Sequence, residues 1–165
     1  TQMLPESQLD RFQVCVVMGY PSHDDEIAIL KKQACRSPMQ SVRPVTNREE
    51  LLQMQAQVRQ VVVSDPIYQY IVALCSETRH HPGIELGLSP RGTLALASIA
   101  RANAYVSGRN YVIPKDVSDM FPYIAIHRLR LSSEAKMNHW KAGDILKQIM
   151  GRVEAPLPER MKFRG

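Results

Sequence analysis

The sequence predicts a mainly α fold: a bundle of four or five short helices, preceded by a helix–strand–helix segment. Three observations carry this. Helix-start signals recur at Ser64-Asp65-Pro66, Ser89-Pro90 and Ile113-Pro114, each followed by apolar residues at helical spacing. Five alanines crowd one stretch (Ala95, Ala97, Ala100, Ala102, Ala104), as close helix–helix packing requires. Val14-Cys15-Val16-Val17-Met18 is a continuous apolar run, the pattern of a strand covered on both faces.

Taken in order, Pro5 and Glu6 start a helix before Leu9 and Phe12, and the strand at Val14–Met18 ends at Gly19-Tyr20-Pro21. Ser22 caps the next helix, with Asp24, Asp25 and Glu26 against the positive end of its dipole. Residues 35–45, with Pro38 and Pro44, read as a linker. Thr46 and Glu49 form a capping box for the first bundle helix. Asp65 caps the second, which Pro82-Gly83 stops, and the alanine-rich third runs from Ser89-Pro90 to Gly108. A fourth opens at Ile113-Pro114 and runs toward Leu129, with a kink expected at Pro122. An amphipathic piece, Trp140 to Met150, precedes a polar tail expected to be mobile. The boundaries are therefore 1–34, a linker at 35–45, a helical domain at 46–131, and a C-terminal helix and mobile tail at 132–165.

Composition excludes several classes. No apolar run approaches the roughly 20 residues of a membrane span, and no secretory leader is legible. The chain opens on Thr1 rather than Met, as expected of an excerpt from something longer. Cys15, Cys35 and Cys75 are odd in number and widely spaced, which fits reduced thiols in the cytoplasm. Five histidines make no ligand spacing with them, and His80-His81 reads as the polar end of a helix. Net charge is +5, with seven bases against four acids in residues 131–165 but no dense basic block.

Catalytic motifs are absent from the string. No glycine precedes Lys-Ser or Lys-Thr, no strand ends in Asp-Glu, and Gly87-Leu88-Ser89-Pro90-Arg91-Gly92 places its last glycine one position late for a nucleophile elbow. Two arginines stand out instead. Arg11 ends a short helix just before the apolar strand. Arg91 lies in the first turn of a helix, where a cation opposes the dipole at a cost of about 0.3–1 kcal/mol that an anionic partner would offset. A surface ion pair for each is the plainer reading, and Gly92 equally reads as a point of close helix approach.

Leu4-Pro5-Glu6-Ser7-Gln8-Leu9-Asp10-Arg11-Phe12 resembles the segment after sensor 1 in MoxR-type AAA+ ATPases, L-P-E-A-Q-L-D-R-F, departing from it at Ser7. Thr1 fits the threonine before that pattern. Ser64-Asp65-Pro66, His81-Pro82-Gly83, Leu88-Ser89-Pro90-Arg91-Gly92, Tyr111-Val112-Ile113-Pro114-Lys115-Asp116-Val117 and His127-Arg128-Leu129 resemble the family's lid domain in order and spacing. The resemblance covers residues 1–131 and fades beyond them.

The resemblance implies a helical-bundle AAA+ lid behind a remnant of the αβα nucleotide-binding core. It implies that Arg11 is the arginine finger, acting in a neighbouring subunit's ATP site, and that Arg91 is the sensor-2 arginine, contacting the γ-phosphate of its own subunit's ATP. It further implies ATP and Mg²⁺ as cofactors of the full-length protein, none held tightly by this piece, which lacks Walker A and Walker B and is not expected to be active alone. The implied partners are a homo-oligomeric, hexameric ring and a protein with a von Willebrand factor A domain, remodelled in chaperone fashion. Without neighbouring strands, residues 1–34 are expected to swap, dimerise or reorganise. The alternative function is a helical DNA-binding or adaptor module, for which the third bundle helix offers Arg91, Arg101 and Asn103.

Overall fold

The computed structural model describes residues 4–35, 39 and 42–157. Among them are α1 (Glu6–Leu9), α2 (His23–Cys35), α3 (Arg48–Gln60), α4 (Asp65–His80), β1 (Ile84–Leu86), α5 (Pro90–Val106), α6 (Pro114–Ala125), β2 (Arg130–Leu131), α7 (Ser133–Met137) and α8 (Ala142–Arg152). They form two compact units, Thr1–Cys15 with Ala56–Gly165, and Val16–Gln55. The chain is mainly α, as its helical periodicity predicts. Among the described residues no helix is long and apolar enough to cross a membrane.

The larger unit is built around α4, α5, α6 and α8. Ile67, Ile71 and Leu74 recur along one stripe of α4 and are almost wholly buried. They meet Leu96 of α5, Phe121 and Ile124 of α6, and Ile145, Leu146 and Ile149 of α8. Ala100 and Ala104 are fully buried where α5 runs against α6, the most extensive helix contact. Small side chains there let the two helices come close. The helix α6 continues through Pro122 to Ala125. Helix α8 contributes to the core although the resemblance read from the sequence stops at 131.

Two features escape the sequence pattern. β1 and β2 pair antiparallel, Ile84 opposite Leu131 and Leu86 opposite Arg130, and α7 follows immediately. Gly87 permits the chain to leave β1 against the end of α4, since a Cβ there would lie 2.6 Å from the Thr78 carbonyl oxygen. The Thr78 hydroxyl completes the junction by donating to Cys75 O (2.6 Å) and accepting from Leu88 N (2.9 Å).

Caps confirm some starts and move others by one residue. The Ser22 hydroxyl accepts from Asp25 N (3.2 Å) at the start of α2. At α3 the box is Asn47 and Glu50 rather than Thr46 and Glu49, with Asn47 Oδ1 accepting from Glu50 N (2.9 Å). Ser64 precedes α4, so Asp65 is its first helical residue and acts on the dipole instead of capping. At α6 the buried Asp116 accepts from Ile113 N (2.8 Å), from Asn103 Nδ2 (3.1 Å), and from both terminal nitrogens of Arg109 (2.7 and 2.6 Å).

The strand expected at Val14–Met18 does not form. Cys15 N donates to Tyr123 O (2.9 Å), and Val16, Val17 and Met18 are exposed, Met18 to 92%. Apolarity announces a wish for burial, but a strand exists only through its neighbours' hydrogen bonds, and the described residues supply none. In the unit Val16–Gln55 several apolar residues of α2 and α3, among them Leu30, Leu51 and Leu52, are exposed as well. Parts of the expected linker, Thr1, and the tail from residue 158 lie outside the described residues.

Helix α1 has four residues and buries none of them. Its attachment to the rest of the larger unit is through hydrogen bonds and ion pairs. Arg128, 8% exposed, donates through Nε to Asp10 Oδ1 (3.0 Å), and through its terminal nitrogens to Ile124 O (2.6 Å), Asp10 O (3.1 Å), Gln13 O (3.4 Å) and Phe12 O. The Ser89 hydroxyl donates to both Asp10 carboxylate oxygens (3.1 and 3.0 Å). Outside this knot, the exposed Arg130 pairs with Glu6 (2.9 Å) and Glu85 (3.1 Å). His127 Nε2 lies 3.1 Å from Phe12 O and 2.9 Å from Arg128 Nη1. Desolvation by burial holds the His127 pKa below its usual 6.5 against the pull of the Phe12 carbonyl, and the Arg128 charge adds to the lowering.

Two measurements test this arrangement. Asp116→Ala removes the anion that four donors share, and denaturant unfolding should read a loss of about 2–4 kcal/mol. Folding favours neutral His127, so its contribution is complete above the unfolded pKa of 6.5 and is lost as pH falls through the lower folded value. The thermal midpoint should decline from pH 6.5 toward about 5, still above the ordinary carboxylate range. His127→Gln should flatten that decline, and an unchanged slope would refute the assignment.

Candidate functional site

Arg11 and Arg91 occupy ends of elements that the knot around Asp10 brings together. Arg11 follows Asp10, the residue that ends α1, and its backbone N–H donates to Gln8 O (3.0 Å). Arg91 is the second residue of α5. Pro90 presets the first turn of that helix, and the Ser89 hydroxyl accepts from Gly92 N (3.3 Å) while donating to Asp10. Each arginine is thus one or two residues from a side chain in the same hydrogen-bonded group. Gly92 has a packing role of its own. A Cβ there would meet Leu88 Cδ2 at 2.6 Å and Arg128 Cδ at 3.4 Å, so its bare backbone makes room for both side chains.

Both guanidinium groups are exposed, and among the described residues neither takes part in an ion pair. The surface ion pair that each invites from sequence is therefore not found there. The contrast with nearby arginines is direct. Arg79 donates to Leu88 O (2.7 Å), Arg101 to the Tyr68 hydroxyl (2.7 Å), Arg109 to Asp116, Arg128 to Asp10, and Arg130 to Glu6. Of the six arginines between residues 76 and 131, Arg91 alone has no such partner among the described residues. The first turn of α5 also holds no acidic residue to offset its charge.

Other chemistry finds little support. Arg101 is taken up by Tyr68 and Asn103 by Asp116, which removes two of the three residues that a DNA-reading α5 would present. Burial pushes the Cys75 thiol up, with the Thr93 hydrogen bond and Arg79 opposing, so Cys75 is a packed side chain rather than a nucleophile. No group of three His, Cys, Asp or Glu that could hold a metal occurs among the described residues. His80 Nδ1 lies 2.9 Å from Ser76 O, and buried His81 Nδ1 accepts from Gly83 N (3.1 Å). A cavity of about 420 Å³ between α1 and the bundle is lined by Glu6, Leu9, Asp10, Ser89 and Arg128 among others, and by neither Arg11 nor Arg91.

Sequence reasoning passed over Asp10 and Arg128 as functional groups. Both lie in strings that carry the family resemblance, Asp10 in Leu4–Phe12 and Arg128 in His127-Arg128-Leu129. Nothing local to either string shows that the carboxylate of one closes on the guanidinium of the other.

Comparison with known proteins gives this geometry a setting. Residues 76–149 match the model of the AAA lid domain, a segment that includes α7 and most of α8. An uncharacterized protein of Bacillus subtilis, YeaC, is 40% identical over 157 residues, covering 95% of this chain and 49% of its own length. The chaperone MoxR1 of Mycobacterium tuberculosis is 29% identical over 171 residues, covering 98% of this chain and 45% of that protein. Protein MoxR of Methylorubrum extorquens is 32% identical over 82 residues, 46% of this chain and 24% of its own. The chain therefore spans about half the length of the first two relatives. A crystal structure of a candidate ATPase from Cytophaga hutchinsonii superposes with a TM-score of 0.87 at 24% identity, over 94% of this chain and 50% of that one, a likeness of fold. Lid model, named relatives and fold together support a MoxR-like AAA+ C-terminal portion, with the match to the AAA lid domain at residues 76–149.

Proposed function

We propose that the chain supplies the cationic side of an ATP-hydrolysing site in a longer AAA+ protein with chaperone-like remodelling activity. The observation that carries this reading is the uncommitted guanidinium of Arg91 at the start of α5, since the other five arginines between residues 76 and 131 are all engaged among the described residues. Arg91 then acts as the sensor-2 arginine on the γ-phosphate of its own subunit's ATP. Arg11 acts as the arginine finger on the neighbouring subunit's ATP in a homo-oligomeric, hexameric ring. The charge that spreads over the transferred phosphoryl oxygens is what a fixed guanidinium stabilises, without a proton step and two oxygens at a time.

The residues present suit the phosphate end of ATP: two exposed guanidinium groups, one of them beside the positive end of a helix dipole. They do not suit Mg²⁺, and its coordination falls to residues outside this chain together with the Walker motifs. In the same reading residues 1–34 belong with the nucleotide-binding core, 35–45 link it to the lid, and the lid proper begins at 46. The exposed Val16, Val17 and Met18 support association of residues 1–34 with a further segment or a second copy. The remodelled partner is a protein with a von Willebrand factor A domain, and the location is the cytoplasm.

In the full-length protein, Arg11→Ala should lower kcat for ATP hydrolysis by about 10³-fold, the low end for a finger. Arg91→Ala should lower kcat/KM as well. Mixing Arg11→Ala subunits with subunits disabled in Walker A should restore part of the activity, because the second kind still carries an intact finger. Normal hydrolysis by both single variants would overturn both roles.

A further inference from the structure

Asp10 stands beside Arg11, yet its carboxylate is committed elsewhere. It accepts from Arg128 Nε at 3.0 Å and from the Ser89 hydroxyl at 3.1 and 3.0 Å, while its backbone carbonyl accepts from Arg128 Nη2 at 3.1 Å. Arg128 itself is almost wholly buried, its side chain 3% exposed, and that of Asp10 is 29% exposed. A charge drawn as far from water as that of Arg128 persists only where hydrogen bonds replace its hydration, and the half-buried Asp10 supplies the anion for it. Such an investment around one carboxylate calls for an account.

The account lies in the helix that Asp10 ends. A four-residue helix is not stable by itself, and α1 has no buried residue to hold it. The bundle has the opposite character, with a core drawn from α4, α5, α6 and α8 that does not include α1. When the two are joined, the joint decides where the weaker partner lies. We propose that Asp10 is a positioning residue for Arg11, and that the clamp of Asp10 on Arg128 and Ser89 holds the residue after it at a fixed place on the lid. Ser89 is also the N-cap of the helix that carries Arg91, so one carboxylate sets the register between the two arginines. This inference rests on the roles proposed above for Arg11 and Arg91.

Loss of the clamp then frees α1 and leaves the lid intact, so the damage falls on the site that Arg11 serves, in the neighbouring subunit. The test uses the full-length ATPase with Asp10→Ala, and Ser89→Ala as a milder variant that keeps the Arg128 pair. Asp10→Ala should lower kcat by about 10²-fold, the cost of a displacement near 1 Å, with KM for ATP within about twofold of the parent. Ser89→Ala should fall between the two. The deciding readout is complementation. Subunits disabled in Walker A carry an intact clamp and finger, so mixing them with Asp10→Ala subunits should restore activity as it does for Arg11→Ala. Unfolded subunits cannot be restored in this way, which separates positioning from plain loss of fold. If Asp10→Ala is as active as the parent while Arg11→Ala is not, the clamp has no such role and the finger assignment survives. If Asp10→Ala is impaired and mixing restores nothing, the clamp serves its own subunit's lid alone and the inference is overturned. Failure of Arg11→Ala itself to impair hydrolysis would instead overturn the reading on which it rests.

Discussion

A guanidinium buried among backbone carbonyls constrains more of this structure than any single apolar contact. Arg128 needs partners for five N–H groups away from water, and it draws them from Asp10, Phe12 and Gln13 on one side and Ile124 on the other. Each of those contacts fixes a different part of the chain. Residue 92 must be small, because a Cβ there would crowd the Arg128 stem and collide with Leu88. Ser89 must offer a hydroxyl that can face the carboxylate and still cap α5. The segment from Asp10 to Cys15 must run along α6, where Cys15 N reaches Tyr123 O. The positions of α1, the start of α5 and the end of α6 are thus one problem with one solution.

A division of labour follows. The apolar core makes the lid a solid body, and polar contacts at its edge aim what the body carries. Asp116 repeats the logic at the far end of α5, where it joins Arg109, Asn103 and the first turn of α6. Both carboxylates are shared by donors from two elements, so neither can be replaced by a neutral apolar group without leaving donors unsatisfied. Catalysis by charge stabilisation asks for this kind of support, because a guanidinium that must be reoriented during reaction forfeits much of its effect.

Much of the fold was legible where the cause is local. Ser22, Ser89-Pro90 and Ile113-Pro114 mark helix starts because the capping hydroxyl and the proline ring act on their own neighbours. The apolar stripe of α4 and the alanines of α5 report burial through periodicity alone. Causes that are not local were missed. The Asp10–Arg128 pair joins residues 118 apart in sequence. The β1–β2 ladder is two and three residues long, too short for alternation to register. Val14–Met18 misled for the converse reason, since its pattern is right for a buried strand and only its partners are lacking. Asn47 took the cap assigned to Thr46 because adjacent polar residues compete for one backbone N–H, and Ser64 stands at the N-cap position assigned to Asp65. At the candidate site, the exposed positions of Arg11 and Arg91 could be read from the strings, whereas the carboxylate that ties their elements together could not.

The polar attachment of α1 gives it a different response to temperature from that of the body it is fastened to. Apolar burial gains strength on warming only until it levels off. The cost of taking charges out of water falls on heating, as hydration of ions becomes less favourable. Warming therefore favours the Asp10–Arg128 joint relative to the core beneath it. Helix α1 should not fray ahead of the bundle as temperature rises; the short helix and the lid are held until the lid itself melts.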